Sequence, residues 1–107
     1  MPTSFSRKVI ELTADAAVSS GVGDHSVFPA NAFPVSVTVA ADGSNTGYIE
    51  VTNYPLDDVE GDTAVWETWP HGDVSANAFD TILGPVTAIR LIATAGAPTA
   101  KVQHSEK

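Results

Sequence analysis

Cysteine is absent from this 107-residue chain. That excludes a disulfide framework and any zinc site built on thiolates. Small secreted modules of this size usually rely on disulfides, so the absence also weighs against that class. Basic residues are scarce: five Lys and Arg stand against thirteen Asp and Glu, a net charge of −8. Arg7, Lys8, Arg90, Lys101 and Lys107 form no block, whereas phosphate backbones are bound by clustered cations. Nucleic acid and anionic membrane surfaces are therefore not expected partners. No run approaches the roughly 18 apolar residues that cross a bilayer. No apolar core of signal-peptide length follows the N-terminal charges, so the expectation is synthesis in the cytoplasm, with any export by assembly into a particle.

What is present is enough Val, Ile, Leu and aromatic to close one core, at a length that suits a single domain over 1–107. The organising stretch runs from Gly84 to Ala95. Val86, Thr87, Ile89, Ile92 and Thr94 are β-branched and favour a pleated strand. Alternation puts Thr87, Ile89, Leu91 and Ala93 on a core face, with Val86, Ala88, Arg90 and Ile92 on a second, half-covered one.

Along the chain, Arg7–Thr13 alternates as a first strand with Ile10 and Leu12 on one side. Ala14–Val18 could turn once as a helix before Ser19–Asp24 ends it. Phe28 and Phe33, in a Pro-rich crossing, are expected to plug the core. Val35, Val37 and Val39 alternate inward, then Asp42-Gly-Ser-Asn45 supplies turn residues, then Ile49 and Val51 alternate again. This pattern predicts a β-hairpin. Tyr54–Asp62 reads as a loop, Ala64–Trp69 as extended chain, Phe79 as a core residue, and Thr99–Gln103 as a last strand with Ala100 and Val102 inward. Six to eight short strands and no amphipathic helix predict an all-β fold. The expected architecture is a single antiparallel β-sandwich of jelly-roll-like or related topology.

Chemistry-bearing patterns are weak. His25, His71 and His104 sit outside any nucleophile-elbow context, and there is no Walker or dinucleotide glycine pattern, so neither an enzyme nor a cofactor is expected. Asp57, Asp58, Glu60 and Asp62 offer hard oxygen ligands for calcium but lack the complete EF-hand spacing, and a solvated acidic loop is the expected state. Tyr48, Tyr54, Trp66 and Trp69 invite a sugar platform. Trp66 and Trp69 have opposite parity, however, so one belongs in a core and the other at a rim or interface.

Two segments, Ala64-Val-Trp-Glu-Thr-Trp-Pro-His-Gly72 and Phe79-Asp-Thr-Ile-Leu-Gly-Pro-Val-Thr-Ala-Ile-Arg-Leu91, carry a resemblance. Over about residues 47–103 the chain resembles small β-sandwich structural proteins of tailed bacteriophages. The resemblance implies a virion protein, a head decoration or cement protein that clasps neighbouring capsid subunits. The sandwich also resembles galactose-binding-type carbohydrate modules, which implies a glycan-binding alternative on a phage or bacterial surface. The apolar second face of the central strand and the unpaired edges of a small sandwich predict a homo-oligomer, a trimer ahead of a dimer. Its interface candidates are Phe5 and Arg7 in the N-terminal arm, with Trp69, Val86, Arg90 and Ile92 at the faces.

Overall fold

The structure, a computed structural model, describes the backbone of residues 7–105 and the side chains of residues 8–104. Among the described residues the chain forms eight strands: β1 (Arg7–Thr13), β2 (Ser26–Val27), β3 (Val35–Ala40), β4 (Thr46–Thr52), β5 (Glu67–Thr68), β6 (Ala78–Ile82), β7 (Ala88–Ala95) and β8 (Thr99–Ser105). One short helix, α1 (Leu56–Glu60), follows β4. The strands make two antiparallel sheets, ordered β1-β8-β3-β6 and β2-β7-β4-β5. Of the seven links between consecutive strands, only β4 to β5 stays within one sheet. This order is that of an eight-stranded jelly roll.

Alternation decides which side chains enter the space between the sheets. The first sheet contributes Leu12, Val35, Val37, Val39, Ala100 and Val102, and the second Ile49, Ile89, Leu91 and Ala93, all buried in one cluster. Each large aliphatic side chain so buried contributes about 1.5–3 kcal/mol relative to exposure. Phe28 is buried and Phe33 packs against the cluster, their rings edge-on at 6.0 Å. Val9 lies on the outer side of β1, as its parity requires.

Several local expectations need correction. The alternating runs either side of Asp42–Asn45 do not form a hairpin, because β3 pairs with β6 and β8 while β4 pairs with β5 and β7. Alternation reports the buried face of a strand but not the sheet it joins. The turn itself forms. Asp42 Oδ1 accepts hydrogen bonds from the N–H groups of Ser44 (2.8 Å) and Asn45 (2.9 Å) and from Asn45 Nδ2 (3.1 Å). Asn45 Oδ1 then accepts from the Ala97 N–H at 2.9 Å, which ties this crossing to the β7–β8 turn. Gly96 sits there at φ +61°, where a Cβ would collide with Ser44 O and Asn45 Oδ1.

Phe79 is not a core residue. It pairs with Thr38 in the register of β3 and β6, on the outward parity, and is 60% exposed. The extended chain expected over Ala64–Trp69 shortens to Glu67–Thr68, and the loop before it contains α1. Ala14–Val18 makes a turn closed by Val18 N–H donating to Asp15 O, followed by a 3-10 turn at Ser19–Gly21.

Candidate docking surface

Two of the expected interface residues, Trp69 and Ile92, are only 5% and 7% exposed and belong to the folded chain itself. Trp69 lies on the inward parity of the β5 segment. Its N–H donates to Ile49 O (2.9 Å) and its indole Nε1 donates to Gly72 O (2.8 Å). Satisfying that one polar atom allows the ring to bury in the apolar cluster. Trp66, of opposite parity, is the partly exposed one.

Arg90 is also committed internally. It projects from the outer face of β7 beside Glu50, its partner across β4. Its Nε and Nη2 lie 2.8 and 2.7 Å from Glu50 Oε1, and its guanidinium stands 4.1 Å from the Trp66 ring centroid. A planar cation both hydrogen-bonded and stacked in this way is held on two sides. The His25 ring approaches Trp66 at 6.3 Å. Thr52 Oγ1 donates to Val65 O at 2.8 Å, closing the returning chain onto the same sheet. Phe5 and the side chain of Arg7 lie outside the described residues.

Val86 is the expected interface residue that reaches an open site. The β2–β3 loop, the start of α1 and the β6–β7 loop meet at a hollow of about 540 Å³. Its apolar lining includes Val27, Phe28, Leu56, Pro85 and Val86, with Asn53 and Thr87 as polar members and no charged side chain. Backbone bonds fix its walls: Phe28 N–H donates to Thr87 O (3.0 Å), and Thr87 N–H donates to Thr52 O (2.8 Å). Val27 and Leu56 are 45% and 42% exposed, and Tyr54, two positions before Leu56, and Leu83, two before Pro85, are exposed too. Contiguous exposed apolar surface of this kind marks interaction sites. Sequence reasoning missed Val27 and Leu56, because only the topology brings these loops together.

A second groove, of about 320 Å³, lies between β5 and β6. Val51, Trp69 and Ile82 form its apolar part, and Glu67 and Asp80 stand on its two strands. His71 Nε2 is 3.3 Å from Asp80 Oδ2, and the His71 ring packs edge-on against Trp69 at 4.8 Å.

The calcium candidates Asp57 and Asp58 fall in the first turn of α1, Glu60 at its end, and Asp62 beyond it at φ +60°. Asp58 Oδ1 accepts a hydrogen bond from Thr63 Oγ1 at 2.9 Å, so this carboxylate braces the turn. Among the described residues no three His, Asp or Glu side chains converge as a metal site. Asp42 is the carboxyl whose pKa is held below the ordinary value, mainly by the Ser44 N–H and then by the Asn45 side chain and N–H.

The fold and the hollow together describe a jelly-roll domain with an open, mostly apolar hollow at one end of its loops. No family model and no curated protein matches the chain. Solved structures similar to it are of oxalate oxidase. One, from a study of that enzyme's mechanism, has 12% identity and a TM-score of 0.43, covering 97% of this chain and 53% of that one. Another, the recombinant enzyme in complex with glycolate, has 12% identity, a TM-score of 0.41 and the same coverage. This chain thus spans about half the length of the chains it matches. These comparisons do not support the expectation of a protein without catalytic activity, since the solved chains similar to this one are those of an enzyme. A likeness at this level names no substrate or reaction for this chain.

Proposed function

We propose that this chain is a structural protein of a tailed-phage virion, a decoration protein that docks on neighbouring capsid subunits. The observation that carries the reading is the charge-free hollow ringed by Val27, Leu56 and Val86, on a chain whose net charge is otherwise −8. An apolar patch on so acidic a surface suits a lasting contact with another protein, while the charge elsewhere limits indiscriminate association. The resemblance over residues 47–103 supports the same reading. A sugar platform has less support, since Trp69 is buried and Arg90 stacks on Trp66.

The test is co-sedimentation with shells assembled from the major capsid protein encoded in the same genome. The expected outcome is that the protein pellets with the shells, and that Val27→Glu combined with Leu56→Glu leaves it in the supernatant with an unchanged circular dichroism spectrum. Parent protein that stays in the supernatant overturns the reading.

A further inference from the structure

The groove between β5 and β6 is built from different residues than the hollow and carries a separate conclusion. Among the described residues β5 is paired within its sheet only with β4, and β6 only with β3, so each strand has one edge with no described neighbour, and both strands line the groove. A free edge offers unpaired N–H and C=O groups to an incoming extended chain. The register of β6 against β3 gives Asp80 the inward parity of Ala78 and Ile82. An inward charge on an edge strand discourages pairing with arbitrary apolar strands. Here it stands across the groove from Glu67, over the apolar surface of Val51, Trp69 and Ile82. The occupant this chemistry selects is an extended segment with a large apolar side chain and a cation close behind it.

This chain contains such a segment. Among its five basic residues Arg7 and Lys8 are the adjacent pair, and Phe5 precedes them by two positions. Arg90, by contrast, is occupied with Glu50 and Trp66. β1 and β6 are the opposite edges of the first sheet, three strand spacings of about 4.8 Å apart. Arg7 and Lys8 therefore lie on the edge strand opposite the one that lines the groove.

We propose that the β5–β6 groove of one copy receives residues 3–8 of a second copy, with Phe5 supplied to the apolar floor and the Arg7-Lys8 charges to Glu67 and Asp80. Reciprocal exchange closes a dimer, and head-to-tail exchange closes a ring such as the trimer expected from the sequence. Asp80 and its neighbour His71 are 32% and 42% exposed, so the carboxylate can accept a cation without burial of an unpaired charge.

The cysteine-free chain makes the test direct. A Ser6→Cys copy and a Thr81→Cys copy are mixed under mild oxidation. The expected product is a covalent heterodimer, formed at least about tenfold faster than from Ser6→Cys with Thr38→Cys, a position on the outer face of the first sheet. Adding Glu67→Gln and Asp80→Asn to the Thr81→Cys copy should remove most of that advantage. Equal rates for Thr81→Cys and Thr38→Cys overturn the proposal, as does a monomeric mass in light scattering that persists across the micromolar range. All substituted groove positions are partly or fully exposed, and matching circular dichroism spectra confirm that each variant is folded.

Discussion

The two sheets turn very different outer faces to their surroundings. On the first, β1, β8, β3 and β6 present rows such as Glu11, Lys101, Thr38 and Phe79, and Val9 and Phe79 are 49% and 60% exposed. On the second, the outward positions of β4 and β7 are Thr52, Glu50 and Tyr48 opposite Ala88, Arg90 and Ile92. There Thr52, Ala88 and Ile92 are buried, and the chain after α1 folds back through Thr52–Val65 and Trp66–Arg90. The lesson is that an apolar residue on the second face of a strand does not by itself mark an interface. Ile92 is outward in parity and internal in fact. Phe79 is outward in parity and meets solvent.

The sharpest test of that contrast is a pair of truncations. Ile92→Ala should cost about 2–4 kcal/mol in urea unfolding, while Phe79→Ala should stay within about 0.5 kcal/mol. Comparable losses would mean that the two faces are equally covered. Arg90→Ala comes next, at about 1–3 kcal/mol, because it leaves a Glu50 carboxylate that is only 15% exposed without its partner. Pairing it with Glu50→Ala should recover part of the loss in a double-mutant cycle, and strict additivity would show that the two side chains are not coupled. The smallest effect belongs to Asp42, on the crossing between the sheets. Its lowered pKa means that its contribution is present above about pH 4 and is lost as pH falls through the depressed value. Thermal melts from neutral to acid pH should therefore show a shallower acid limb for Asp42→Ala than for the parent chain.

Much of the inner face was legible from residue order. Val35, Val37, Val39, Ile89, Leu91, Ala100 and Val102 all point where alternation places them, because a period of two follows from strand geometry alone. The opposite parity of Trp66 and Trp69 was legible as well, although not which of them turns inward. That choice depends on the pairing of the β5 segment with β4, which no local pattern encodes. The same gap produced the mistaken hairpin, since the neighbours of β3 come from residues 78–82 and 99–103. Of the candidate surface, Val86 could be named in advance. Val27 and Leu56 could not, because they lie on segments distant in sequence that only the jelly-roll connections place at one hollow.

The strand order has a consequence for how the molecule comes to exist. β8 lies between β1 and β3, and its register joins Thr13 to Thr99 and Val37 to Val102. Until it arrives, β1 and β3 have no common neighbour and the second sheet faces an incomplete partner. Closing such distant pairings demands loop entropy before any contact returns it, which places folding toward the slow end for a domain of this size. Loss of β8 therefore removes more than one strand from an edge: it parts the first sheet down its middle.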